Sequence, residues 1–118
     1  MVTVAEPGYV VHSADTVEYE PLFISGEQVG EEHELRSEGF HGNEHAASLW
    51  RTDGPARYEY LFAGDESCYV IEGSVSIELV DTGERIELNA GDIASFAQGT
   101  RSIWTFEGPF KKFTVISG

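Results

Sequence analysis

Apolar and polar side chains alternate along most of the chain after residue 47. The alternation is clearest in residues 74–80, where Val75, Ile77 and Leu79 fall on one face. A turn that contains a glycine follows, and residues 85–88 then resume the alternation. Because a period of two is that of a β-strand with one buried face, these residues predict an antiparallel hairpin.

The same pattern predicts three more strands, separated by turns: residues 93–96, 100–106 and 110–116. No stretch keeps the period of an amphipathic helix. Many short strands joined by glycine-containing turns are typical of an all-β sandwich or barrel.

The first third of the chain carries a weaker pattern. Residues 10–11 and 17–23 predict two short strands. Residues 26–42 are polar and punctuated by glycine, so we expect a loop or an irregular edge there.

The length of 118 residues predicts one domain, residues 1–118. Its core is expected at about residues 47–118, with N-terminal strands and an acidic loop in residues 1–46. Cys68 is the one cysteine, which excludes an internal disulfide and suits a reducing compartment. Neither a secretory signal nor a long apolar run is visible, so the expected location is the cytoplasm.

The charge is strongly negative, with 21 acidic residues against 7 lysines and arginines. A field of this sign repels phosphate backbones and anionic lipids, so nucleic acids and membranes are not expected partners. Solubility accounts for such acidity, and a site for a cation or amine is the sharper alternative.

Two short groups of residues have a spacing that points to a family. Glu66 is separated from Gly73 by six residues, and Gly91-Asp92 is separated from Ala97-Gln98-Gly99 by four. This layout resembles the two sequence motifs of the cupin superfamily over residues 50–116. The resemblance implies an all-β, single-domain jelly-roll (cupin) β-barrel, which commonly forms a homodimer.

The metal-binding positions of that family depart from its pattern. Tyr60, Phe62 and Ser102 stand where metal-binding cupins carry histidines, and only the motif glutamate, Glu66, is retained. Transition metals bind imidazole and carboxylate groups well, whereas a hydroxyl is a weak ligand and a phenyl ring is none. We therefore expect no metal cofactor at this site.

One subgroup resembles the chain further: the small single-domain cupins related to ureidoglycine aminohydrolase. The matching positions are aromatic residues before the motif glutamate, a tryptophan after the last histidine position and a basic pair: Tyr58, Tyr60, Phe62, Trp104 and Lys111-Lys112. The resemblance also implies that Lys112 pairs with a core carboxylate.

An aromatic pocket is the main candidate site. Alternation places Tyr58, Tyr60 and Phe62 on one face of their strand and Ser102, Trp104 and Phe106 on one face of theirs. The resemblance implies that both faces look into the barrel around Glu66. Aromatic walls with a few polar groups suit a small organic ligand, although these rings could instead fill the barrel completely.

These observations predict a small-molecule-binding cupin that needs no metal. If it is catalytic, Glu66 would move protons with Tyr60 or Ser102 assisting, as in an isomerase or lyase. The expected substrate-binding residues are Tyr58, Phe62, Trp104, Phe106 and Lys112. A non-catalytic dimeric module is a further alternative.

A metal-dependent enzyme of isomerase, lyase or aminohydrolase type remains the other alternative. A divalent transition metal would then be held by Glu66 with His41 and His45, which are four residues apart. A solvated polar loop is the favoured interpretation of these histidines and of His33. Cys68, on the predicted strand of Glu66, is expected to be a buried small residue and not a nucleophile.

Overall fold

The computed structural model describes residues 9–37 and 45–118, and within these ranges it contains strands, turns and no helix. The strands are β1 (Glu20–Ile24), β2 (Glu27–Arg36), β3 (His45–Thr52), β4 (Ala56–Leu61), β5 (Asp65–Glu72), β6 (Ser74–Leu79), β7 (Arg85–Asn89), β8 (Ile93–Phe96), β9 (Arg101–Phe106) and β10 (Phe110–Ser117). None of the described residues therefore belongs to a helix that could cross a membrane.

The strands form two antiparallel sheets. The larger sheet has six strands in the order β1-β2-β3-β10-β5-β8, and the smaller has four in the order β4-β9-β6-β7. Neighbours along the chain are often in different sheets, and the last strand, β10, lies between β3 and β5. This connectivity is that of a jelly-roll β-sandwich, which confirms the predicted all-β class.

The predicted hairpin is β6 and β7. Val75 pairs with Leu88 and Ile77 with Ile86, so the alternating apolar residues share the inner face. Gly83 has a φ of 75° in the turn, and its amide donates to the carbonyl of Leu79 at 2.8 Å. A residue with a Cβ would be strained in this left-handed conformation, which explains the glycine.

The core lies between the two sheets and is rich in aromatic rings. Its largest fully buried side chains are Val70, Phe62, Ile77 and Phe110. Burial of each such side chain contributes roughly 1.5–3 kcal/mol to folding. Phe62 also stacks on Phe96, with ring centroids 4.7 Å apart. The end of the sandwich near Phe62 is therefore solidly packed.

The first third of the chain differs from its prediction. Residues 10–11 are not in a strand, and the predicted strand at 17–23 occurs as β1, which begins at Glu20. The predicted loop at 26–42 is wrong for Glu27–Arg36, which forms the ten-residue strand β2. Residues 38–42 of that prediction lie outside the described residues. Polar β2 residues pair with the apolar strand β3, so tertiary pairing overrides the local signal.

Candidate functional site

Strands β4 and β9 bring five of the predicted site residues onto adjoining positions. Tyr58 pairs with Trp104 and Tyr60 with Ser102, while Ala56 pairs with Phe106. Side chains on β4 and β9 alternate between more buried and exposed positions, as the sequence pattern predicts. The inner side chains of these two strands therefore form one aromatic surface that faces the larger sheet.

A buried ion pair lies opposite this surface, on the larger sheet. Glu66 of β5 is 2% exposed and Lys112 of β10 is 7% exposed. The Nζ atom of Lys112 lies 2.9 Å from Oε2 of Glu66, and the Tyr60 hydroxyl donates to Oε1 at 2.8 Å. Both carboxylate oxygens thus have partners, as a buried charge requires. The expected pairing of Lys112 with a core carboxylate is present.

Tyr60 acts in this arrangement as a hydrogen-bond donor. Burial is the largest cause that raises the pKa of Tyr60 above its ordinary value of 10.0. The charge of Glu66, its hydrogen bond with Tyr60 and the charge of Glu32 raise this pKa further. The phenol therefore keeps its proton at neutral pH and is suited to donate to a carboxylate or to a ligand.

The cavity beside these groups has a volume of about 300 Å³ and lies between the two sheets. Its walls are mainly apolar and include residues from seven strands. Among its lining residues are six that the sequence predicts as site residues: Tyr58, Tyr60, Glu66, Trp104, Phe106 and Lys112. A cavity of this size accommodates a small organic molecule.

Two predicted site residues, Ser102 and Phe62, do not line the cavity. The Ser102 hydroxyl donates to the backbone carbonyl of Tyr60 at 2.8 Å and accepts from Nε1 of Trp104 at 2.9 Å. Ser102 is thus placed to hold the Trp104 indole in position. Phe62 is 1% exposed and packs on other rings of the core.

Ten further lining residues were not predicted as site residues, among them Trp50, Glu32 and Glu34. Trp50 lies on β3, and its Nε1 donates to the carbonyl of Val29 at 2.9 Å. The sequence could have indicated that Trp50 faces the interior, because residues 48, 50 and 52 share one face of an alternating strand. The two glutamates fall in the stretch that was predicted as a loop, where no signal indicated which way they point.

The histidines of the metal alternative are spread over different surroundings. His33, on β2, lies 3.0 Å from the carbonyl of Glu18 and 2.9 Å from a ring nitrogen of His12. His45, at the start of β3, contacts Arg36. His41 lies outside the described residues. In the described part of the chain, no three metal-ligating side chains come together, so the metal alternative stays a prediction.

The chemistry of Glu66 also bears on metal binding. Its two oxygens already accept hydrogen bonds from Tyr60 and Lys112. A metal ion bound to Glu66 would compete with the Lys112 ammonium for the same oxygen. Tyr60, Trp104 and Phe106 supply no imidazole or carboxylate ligand. Glu32 and Glu34 also line the cavity, but among the described residues they form no group of three metal-ligating side chains with Glu66. The groups around Glu66 therefore suit an organic ligand better than a transition metal.

Comparison with known proteins supports the fold and the family. The family model of the EutQ-like cupin domain matches residues 40–113. A search of curated proteins gave no significant match.

Similar solved structures include two EutQ proteins. One is a crystal structure described as ethanolamine utilization protein Q from Salmonella typhimurium LT2; it is 19% identical, with a TM-score of 0.79, over 98% of this chain and 90% of that chain. The EutQ protein of Clostridium difficile is 12% identical, with a TM-score of 0.65, over 86% of this chain and 80% of that chain. At these identities the likeness shows the fold.

A third similar structure is a DUF861 family protein from Thermotoga maritima. It is 26% identical, with a TM-score of 0.53, over 56% of this chain and 73% of that chain. The family match covers more than half of the chain and includes both of the motifs that resemble cupin motifs. The chain belongs to the EutQ-like cupin domain family.

Proposed function

We propose that the protein binds a small organic molecule in the cavity between its two sheets. The observation that supports this most directly is the group of Tyr60, Glu66 and Lys112 on the wall of a mainly apolar cavity. Ligand sites commonly combine apolar walls with a few fixed polar groups. The predicted alternative, in which aromatic side chains fill the interior, is not favoured, because a cavity of about 300 Å³ remains.

The desolvation of the buried ion pair costs free energy that a purely structural role would not require. Two charges removed from water are often no more stabilising than apolar residues of the same volume. Their position at a cavity wall gives them a second use, since a ligand can reach them. We therefore assign Glu66, Tyr60 and Lys112 to the polar end of the site and Tyr58, Trp104 and Phe106 to its walls.

If the protein catalyses a reaction, proton transfer is the chemistry that these groups support. Glu66 is the candidate base and Tyr60 the candidate donor, with Lys112 stabilising negative charge. Ser102 would act by positioning Trp104, not by touching substrate.

The proposed site uses no metal. We also propose that the protein is related to the ureidoglycine aminohydrolase-related cupins, on the basis of Tyr58, Tyr60, Phe62, Trp104 and Lys111-Lys112. A homodimer is likewise proposed, because edge strands favour pairing between copies.

A cavity-filling variant tests the proposal. Ala46 lines the cavity, so Ala46→Trp places an indole in it, whereas Ala97→Trp adds the same side chain at an exposed position. We expect ligand-observed NMR with a library of small organic acids, alcohols and amines to give binders for wild type and Ala97→Trp. Ala46→Trp should lose them. A library with no binder that is sensitive to Ala46→Trp would contradict the proposal.

Metal content tests the metal-free part of the proposal. The full chain is incubated with iron, manganese, nickel and zinc salts, desalted and measured by mass spectrometry. We expect far less than one metal per chain. A near-stoichiometric metal that is lost in His41→Ala/His45→Ala would instead support the metalloenzyme alternative.

A further inference from the structure

We infer that the ligand of this cavity is a small organic cation, an ammonium group carried on an apolar body. This inference rests on the proposed function and specifies its ligand class. It is carried by the charges that line the cavity, by the surroundings of two glutamates on β2 and by the aromatic walls.

The cavity has more negative than positive groups. Its lining includes three carboxylates, Glu32, Glu34 and Glu66, and one ammonium, that of Lys112. Lys112 is paired with Glu66 at 2.9 Å, so these two charges compensate each other. Glu32 and Glu34 remain, and their side chains have no hydrogen-bond or ion-pair partner in residues 9–37 and 45–118.

The strand geometry holds the two glutamates on the same wall. On β2, Glu32 pairs with Trp50 and Glu34 with Ser48, and all four residues line the cavity. Glu32 is half-buried, and Glu34 lies at the exposed edge of the cavity. Burial is the main cause that raises its pKa, and the charge of Glu34 adds to the effect. A cation between them would relieve this repulsion and restore a partner to each carboxylate.

The aromatic walls are also suited to a cation. Trp50, Tyr58 and Trp104 line the cavity, and ring faces attract ammonium groups. Lys112 gives an example within the site, because its Nζ lies 4.6 Å from the Trp104 ring centroid and 5.6 Å from that of Trp50. The rings that contact a protein ammonium can contact a ligand ammonium from the cavity side.

Other ligand classes fit this charge pattern less well. An anion would meet the two unpaired glutamates, and the one lysine in the cavity is already held by Glu66. A bare metal ion would find two carboxylates without a third metal-ligating side chain close by, as far as the described residues show. An organic cation satisfies both the carboxylates and the apolar walls.

The test uses three probes of matched shape and different charge: benzylamine, benzyl alcohol and benzoate. Each is titrated into the full chain by calorimetry at neutral pH and low ionic strength. We expect benzylamine to bind about tenfold more tightly than benzyl alcohol, and benzoate most weakly. Of the three probes, only benzylamine should bind more weakly when salt is added.

Two double variants distinguish the effect of the cavity carboxylates on probe affinity from the effect of the overall net charge. Glu32→Gln/Glu34→Gln should reduce benzylamine affinity by about tenfold and benzyl alcohol affinity by much less. Glu59→Gln/Glu87→Gln removes the same two charges at exposed positions away from the cavity, and should change neither affinity appreciably. Circular dichroism of each variant checks that the fold is kept.

The outcomes distinguish this inference from the proposed function. Benzyl alcohol or benzoate binding best, with loss in Ala46→Trp, would overturn the organic cation and leave the cavity as a ligand site. Equal benzylamine affinity in wild type and Glu32→Gln/Glu34→Gln would also overturn it. If no probe binds and the library screen yields no cavity ligand either, both the inference and the proposed function fail.

Discussion

At the scale of residues, one buried carboxylate organises the site. Glu66 accepts hydrogen bonds from Tyr60 on the smaller sheet and from Lys112 on the larger one. The hydrogen bond from Tyr60 joins the two sheets at the cavity wall, whereas the ion pair with Lys112 lies within the larger sheet. Glu66 and Lys112 each depend on the other, since a buried charge without a partner is strongly destabilising.

The dependence of Glu66 and Lys112 on each other can be measured in a double-mutant cycle. Lys112→Met leaves the Glu66 carboxylate without its cation, and we expect a loss of about 3–5 kcal/mol in the free energy of unfolding. Glu66→Leu should cost a similar amount. The double variant should be more stable than either single variant, because no unpaired charge remains. Urea unfolding measures all four proteins, and additive losses would show that the pair is not coupled.

Tyr60 makes the stability sensitive to alkaline pH. Its pKa is raised above 10.0 in the folded protein, mainly by burial and then by Glu66. Above pH 10 the unfolded chain therefore releases this proton while the folded chain retains it. Stability then falls as the pH rises, by at most about 1.4 kcal/mol per pH unit for this one group, because Tyr60 is partly exposed and solvent screens its surroundings.

Tyr60→Phe should remove this contribution. We expect the variant to lose stability less steeply than wild type between about pH 10 and 11.5, and in parallel with it between about pH 7 and 9. Urea unfolding at each pH gives the two curves. Identical slopes at high pH would show that the Tyr60 proton does not distinguish the folded from the unfolded state.

At the scale of elements, the sequence predicts the strands that bury an apolar face. It does not predict β2, which has no continuous apolar face. The hairpin β6–β7 and the strands β8, β9 and β10 were predicted from alternating apolar residues. Strand β2 was not, because Glu32 and Glu34 point to the cavity while Glu31 pairs with Arg51. Both faces of β2 are therefore polar over these residues, and the period-two signal is lost.

Strand alternation also determines which site residues could be predicted. Tyr58, Tyr60, Trp104 and Phe106 lie on alternating strands whose faces follow from the pattern. The division between lining and packed positions could not be predicted from the sequence. Ser102 and Phe62 share those faces, yet neither lines the cavity. The Ser102 hydroxyl accepts a hydrogen bond from Trp104, and the Phe62 ring is covered by Phe96. That division depends on how the two sheets approach each other.

The junction of β2 and β3 depends on a glycine. Gly30 has a φ of 63°, and a Cβ there would lie 2.5 Å from the carbonyl oxygen of Arg51 and 2.6 Å from the Trp50 ring. Gly26 has a φ of 84° but open space around its Cβ position. At both positions a residue with a Cβ would be strained in the left-handed conformation, and only at Gly30 would the Cβ also clash with its neighbours.

Gly30→Ala and Gly26→Ala therefore form a matched pair. We expect Gly26→Ala to cost about 1 kcal/mol and Gly30→Ala roughly 2–4 kcal/mol in the free energy of unfolding. Gly30→Ala should also weaken binding in the cavity, since Trp50 and the neighbouring glutamates line it. Urea unfolding measures the first effect and ligand titration the second. Equal losses in the free energy of unfolding for the two variants would show that β2 can shift to accommodate the added methyl group at little cost.

At the scale of the whole molecule, acidity opposes the compact fold. The net charge of −14 is held within a molecule of about 43 × 32 × 30 Å. At an ionic strength of about 0.01 M the Debye length is about 30 Å, so charges on opposite sides still repel each other. At about 0.15 M it falls to about 8 Å, and only neighbouring charges interact.

Added sodium chloride should therefore stabilise this protein. Between about 0.01 M and 0.15 M salt we expect the free energy of unfolding to rise by about 1 kcal/mol, or roughly 4 °C in Tm. Glu59→Gln/Glu87→Gln should be more stable than wild type at low salt, because it removes two of the repelling charges. This advantage should shrink as salt is added, since screening already weakens the same repulsion. Scanning calorimetry of both proteins over the salt series gives the comparison. An advantage that is independent of salt would instead point to a local effect of the two substitutions, and long-range repulsion would not limit the stability of the fold.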